Sequence, residues 1–150
     1  MRITHLTLDI TVEDLNELLR EFIPDSQLVI TSIDRLGIHG QLRFLFWNVD
    51  FVAKPSSPNA EEVSIEVTAH KLVSIPPAII ERQLREAVKD APEGVEVLQQ
   101  ALRLNVPLIL QPFGVRLGIR ELETHDGFVR IALRDLETPR LLNLVRGLRK

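Results

Sequence analysis

The run from Gln41 to Ala53 constrains this chain more than any other stretch. Its apolar residues fall first on even positions, at Leu42, Phe44 and Phe46. They then move to odd ones, at Trp47, Val49, Phe51 and Ala53. Successive side chains of a strand point to opposite faces, so a change of parity exchanges the faces. A bulge or tight bend near Phe46-Trp47-Asn48 keeps both halves turned toward one core. The segment is therefore one long, strongly bent strand or two short ones.

The same period of two recurs elsewhere. Leu6, Leu8 and Ile10 alternate with His5, Thr7 and Asp9, which predicts a half-buried strand over residues 3–10. Residues 27–36 predict a second strand, and Gly37-Ile-His-Gly40 reads as a turn. Lys54-Pro-Ser-Ser-Pro-Asn59 is a loop by composition. Val63, Ile65, Val67, Ala69 and Val73 point one way, with Ser64, Glu66, Thr68 and His70 the other. That is an antiparallel strand with one wet face. Residues 115–122 and 128–134 flank His125-Asp126-Gly127, and Asp-Gly is a hairpin signal.

Helical spacing appears between these strands. Thr11 can cap a helix, with Glu13 and Asp14 in its first turn and an apolar stripe of Val12, Leu15, Leu18, Leu19 and Phe22. Pro76-Pro77 opens another, with Ile79, Ile80, Leu84, Ala87 and Val88 on one face. Ala91-Pro-Glu-Gly94 interrupts it. The spacing of Val97, Leu98, Ala101 and Leu102 predicts a further helix, ended by Asn105 and Pro107. An amphipathic tail over residues 138–150 carries Leu141, Leu142, Leu144, Val145 and Leu148 opposite Arg140, Asn143, Arg146 and Arg149. There is no internal repeat. The 150 residues suit a single domain, which at this size buries roughly 70% of its unfolded surface. The expected fold is α+β, a strongly curved antiparallel sheet wrapped around apolar helices.

Composition narrows the chemistry. The chain has no cysteine, so thiol nucleophiles, zinc-thiolate sites and disulfides are excluded. A net charge of -3, with aromatics at 5% and no tyrosine, does not suit nucleic-acid binding. The first ten residues alternate rather than forming a secretory apolar run, and no stretch has the roughly 18 apolar residues of a membrane span. The expected location is the cytoplasm.

No catalytic constellation emerges. His5, His39, His70 and His125 show no helical metal spacing, so no metal and no cofactor are expected. His39 and His125 both fall in predicted turns and could meet; the plainer reading is two solvated histidines. Gly37-Ile-His-Gly40 looks like an oxyanion turn without a nucleophile, and a hairpin turn accounts for it. Glu61-Glu62 and the Glu121/Glu123 pair read as solvated strand edges, which also discourage edge-to-edge association. The chain is expected not to be an enzyme.

The apolar residues are more informative. Phe44, Phe46, Trp47 and Phe51 of the bent run, Leu84 and Val88 of the Pro76-Pro77 helix, Leu98 and Leu102 beyond it, and Phe113 supply a large apolar inventory. They either fill a core or line a groove for an apolar ligand. The tail likewise either packs through Leu141, Leu142, Val145 and Leu148 on its own domain or a twin subunit, or lies on an anionic membrane.

The order of these pieces resembles the bacterial LmeA-like phospholipid-binding family, related to the tubular lipid-binding (TULIP) group. Leu15-Asn-Glu-Leu-Leu-Arg-Glu-Phe22 resembles its leading helix. The segments 28–36, 40–44 and 63–70 resemble its sheet. Ile75-Pro-Pro-Ala-Ile-Ile-Glu-Arg-Gln-Leu84 resembles the following helix, and Val115–Ile119 with Asp126–Ile131 its closing hairpin. The resemblance runs from Leu15 to Leu133, about four-fifths of the chain. It implies a curved sheet around a helix, enclosing an apolar tunnel for acyl chains, and no catalytic residues. The sequence departs from the family in showing no export signal. Two functions follow as expectations: binding of lipid or another apolar ligand between sheet and helices, or a protein-interaction and oligomerisation module with a filled core.

Overall fold

The computed structural model describes residues 2–25, 27–44, 47–70 and 75–138, with the backbone alone of Phe44, Trp47 and His70. The predicted tail, apart from Thr138, lies outside the described residues, as do Phe46 and Val73. The strands are β1 (Arg2–Thr11), β2 (Leu28–Asp34), β3 (Gly37–Phe44), β4 (Trp47–Ser56), β5 (Glu62–His70), β6 (Val95–Leu98), β7 (Ala101–Asn105), β8 (Arg116–His125) and β9 (Phe128–Glu137). The helices are α1 (Val12–Phe22), α2 (Pro77–Ala87) and α3 (Val106–Leu110), followed by a 3-10 turn at Gln111–Phe113. The fold is α+β and antiparallel throughout its strand pairs. Its strands divide into two sheets, β1-β9-β8 and β2-β3-β4-β5-β7-β6, where one sheet was expected.

The parity change in residues 41–53 belongs to a hairpin. Phe44 pairs with Trp47, Leu42 with Val49, Gly40 with Phe51 and Ile38 with Ala53. Directly opposed residues share a face. A two-residue connection sets even positions of β3 against odd positions of β4, so both apolar sets face one way. Of the two alternatives, the structure has the two short strands. Gly40 is needed inside β3 because the ring of Phe51 lies across it: a Cβ there would stand 2.5 Å from the ring Cζ and 2.7 Å from the Val29 carbonyl oxygen.

The turn predicted at residues 37–40 lies earlier, at Arg35-Leu36. Asp34 makes it: its Oδ1 accepts the Leu36 N–H at 2.8 Å, a local turn closed by a side chain. Gly37, at φ +144°, then enters β3 in a conformation that other residues rarely adopt. The expected cap of α1 is present. Asp14 N–H donates to Thr11 Oγ1 at 3.3 Å, and Thr11 N–H donates to Asp14 Oδ2 at 2.9 Å, forming a capping box.

The predicted helix at 97–102 is instead the β6–β7 hairpin. Val97 pairs with Leu102, Val95 with Leu104 and Leu98 with Ala101. The same four apolar residues satisfy a helical stripe or a hairpin. The free edge of β5 decides between them: Ile65 pairs with Leu102 and Val63 with Leu104. Gln99, with φ 55°, takes the left-handed turn position usually given to glycine or asparagine. Pro107, expected to end a helix, sits in the first turn of α3, whose cap Asn105 Oδ1 accepts the Leu108 N–H at 3.2 Å.

The core lies between the sheets at the β2 end. Ile30, Ile33, Ile38, Ala53 and Val129 are buried together, and Val12, Leu15 and Leu19 of α1 pack against them with Phe51 and Leu122. A bulge in β8 between Ile119 and Glu121 brings Leu122 opposite Ile131 on the face that Ile119 shares with Leu133. At the other end, α2 lies against β5, β6 and β7 and buries Ile80.

Candidate functional site

The α2 end holds an open groove. Pro77 starts the helix, where a missing N–H costs nothing, and no side chain caps it. Residues 80, 84 and 88 descend one face toward the β6–β7 hairpin. Between Val88 and the facing Val95 and Val97 is a depression of about 450 Å³, with Arg85 and Glu96 completing its walls. A second depression, of about 390 Å³, follows the polar side of α2 along Ala78, Glu81, Arg82, Arg85 and Glu86. Arg85 belongs to both. It donates to Glu81 Oε1 at 2.8 Å and to the Val97 carbonyl oxygen at 3.3 Å. The groove thus mixes three valines with two charged side chains, and it opens to solvent as a surface feature rather than a closed tunnel.

Few of the expected ligand-contacting residues meet here. Val88 lines the groove. Leu84 stands one turn before it, half-buried, and Leu102 pairs with Val97 of the groove wall. Leu98 was expected beside Leu102 on a helix. As a strand residue it points to the opposite face, 54% exposed. Phe51 packs in the main core against Gly40, away from this groove. Phe113, in the 3-10 turn, is 64% exposed. Phe44 and Trp47 pair by their backbones at the end of the β3–β4 hairpin, and Phe46 lies outside the described residues. Sequence reasoning missed Val95. The alternation Val95-Glu96-Val97 after Gly94 was the available signal.

Electrostatic order is concentrated on the outer face of the three-stranded sheet. Arg130 donates to Asp9 through Nε at 2.8 Å and through its terminal nitrogen at 3.0 Å. Its guanidinium lies 5.1 Å from the ring centre of Phe128, which stacks on His125 at 5.0 Å. The Arg130 hydrogen bond holds the Asp9 carboxyl below its ordinary value. His39 does the same for Asp34 by a 2.9 Å contact. His125 Nε2 stands 3.5 Å from Glu123 Oε2. Each of these two histidines thus has its carboxylate within its own hairpin. The hairpins themselves touch, through the Gly127 N–H to the Ile33 carbonyl oxygen and through Thr124 Oγ1 to that of Arg35. Among the described residues no group of three or more His, Asp and Glu gathers as a metal site would require. No described helix is long and apolar enough to cross a membrane.

Compared with known proteins, the chain matches no family model, no curated protein and no solved structure. The class defined by its own geometry is an α+β protein of two antiparallel sheets, with an open depression beside α2 lined by Arg85, Val88, Val95, Glu96 and Val97.

Proposed function

We propose that this protein binds an apolar ligand, such as an acyl chain, in the groove between α2 and the β6–β7 hairpin. The observation that carries the proposal is the facing of Val88 with Val95 and Val97 across about 450 Å³ of open space. That volume is in the range of small-molecule sites. Each methylene removed from water there contributes ~0.8 kcal/mol before ordering costs. Arg85, with donors beyond its bond to Glu81, suits the carboxylate or phosphate end of an amphipathic ligand. In this reading the six-stranded sheet and α2 correspond to the sheet and helix of the tubular lipid-binding resemblance, with the sheet curving around the ligand.

Solvent extraction of the purified protein followed by mass spectrometry tests the idea. A recurrent lipid or fatty acid is expected, and Val97→Asp should abolish its recovery. Empty extracts, together with no displacement of a fluorescent fatty acid, would overturn it.

A second reading has its own observation. Phe22, Leu36 and Phe113 are 73%, 68% and 64% exposed. Such side chains suit a protein partner, as does the tail through Leu141, Leu142, Val145 and Leu148. In that reading, removal of residues 138–150 changes the mass in solution.

A further inference from the structure

A sheet edge offers unpaired N–H and C=O groups, and proteins usually block it. Three of the four sheet edges here carry a block. At β2, Asn16 of α1 acts as a substitute strand: its Nδ2 donates to the Ile30 carbonyl oxygen at 3.0 Å, and its Oδ1 accepts the Ile30 N–H at 2.8 Å. At β6, Arg85 of α2 donates to the Val97 carbonyl oxygen. At β8, the Ile119 N–H donates to the Ala60 carbonyl oxygen at 2.8 Å, and Thr124 bonds to Arg35. The fourth edge is β1. It pairs with β9 on one side; apart from the Thr11 N–H at its end, which donates to Asp14 Oδ2, no bond among the described residues joins another element to its main chain.

β1 is also long, spanning Arg2–Thr11, and contains no proline or lysine. The three-stranded sheet rests on the other sheet chiefly through β8 and β9, so β1 stands at its outer margin, with β9 and α1 as its main neighbours among the described residues. Leu8 of this strand is 42% exposed.

We propose that β1 is a self-association edge, and that a second copy of this chain adds its own β1 antiparallel to it. The sequence of β1 supports a particular register, with the two-fold axis at Thr7. In that register residue 5 meets residue 9 and residue 6 meets residue 8. Leu6 then faces the partner's Leu8 on the apolar side, where Leu6 and Leu8 already adjoin Leu133 and Ile131 of β9. His5 faces the partner's Asp9 on the wet side, and Thr7 faces its own copy. The shared parity keeps each side of the pleat continuous, so the faces match across the junction. The interface is isologous, as a two-fold dimer requires. The product is one continuous sheet in the order β8-β9-β1-β1-β9-β8. This pairing is independent of the groove under α2.

The full-length chain tests it by sedimentation over a range of concentrations. A mass rising toward twice 17.1 kDa is expected. Thr7→Lys sets two ammonium groups directly opposite each other and should return the mass to 17.1 kDa with an unchanged circular dichroism spectrum. The chain has no cysteine, so Thr7→Cys introduces a single thiol at the axis. Mild oxidation should link two such chains, whereas Asp126→Cys, at the far hairpin tip, should remain unlinked under the same conditions. A mass of 17.1 kDa at every concentration overturns the proposal. So does a dimer that survives Thr7→Lys and is not cross-linked through Cys at position 7.

Discussion

The two ends of the six-stranded sheet are each covered by an eleven-residue helix, yet they are finished differently. At the β2 end, α1 is capped at its start, bonded to the sheet edge by Asn16, and overlain by the second sheet. The apolar residues there lock into a continuous cluster. At the β6 end, α2 lacks a side-chain cap, buries Ile80 and leaves Val88 facing Val95 and Val97 across open space. A helix against one sheet face covers a strip of it. Filling the remainder takes a further layer, which the β2 end has in β8 and β9. The difference separates a filled end of the molecule from one that leaves an open depression at the surface.

The comparison is broken most directly in the cores. Ile33→Ala should cost about 3 kcal/mol in urea unfolding, because its neighbours are fixed from both sheets. Val97→Ala, on the groove wall, should cost ~1 kcal/mol or less while weakening fatty-acid binding. Equal losses at the two positions would mean that the groove end is as tightly filled as the other. Gly40→Ala comes next. Its new methyl meets the Phe51 ring and the Val29 carbonyl, so a loss of about 2 kcal/mol in the same assay is expected.

The edge blocks sharpen the contrast further. Asn16→Ala leaves both polar groups of Ile30 without their partner and should cost ~1–2 kcal/mol. Arg85→Ala removes a solvated contact and should leave the urea midpoint in place.

Acid is the mildest probe. Asp9 and Asp34 have folded-state values lowered by their hydrogen bonds to Arg130 and His39, and Asp135 by its bond to Arg2. A lowered folded value means that the unfolded chain binds protons first as pH falls. The stability these carboxylates contribute is therefore complete above the ordinary value of 3.8 and is lost as pH drops through their lower folded values. Urea midpoints measured down this window should fall, and Asp9→Asn should make the fall shallower.

Much of the β2 end is legible along the chain. The Thr11 cap of α1, the alternation in β1 and β5 and the Asp126-Gly127 turn are encoded by residues close in sequence, and each forms where expected. The groove end was less legible. Val97, Leu98, Ala101 and Leu102 fit a helix or a hairpin equally well, and Gln99-Gln100 lacks the usual turn residues. Reading a helix there placed Leu98 beside Leu102 and hid the alternation that points Val95 and Val97 into the groove.

By itself the sequence determined the α+β class, the positions of most strands and a break in alternation near Phe46-Trp47-Asn48, which left one bent strand or two short ones, because period, capping and turn chemistry act within a few residues. Tertiary structure alone decided that the strands form two sheets, that residues 95–105 pair with the edge of β5, and which apolar side chains are enclosed. The reason is physical. A hydrogen-bonding edge and a covering layer are supplied by residues far away in the chain, and a local pattern compatible with two conformations is settled only when that distant partner arrives.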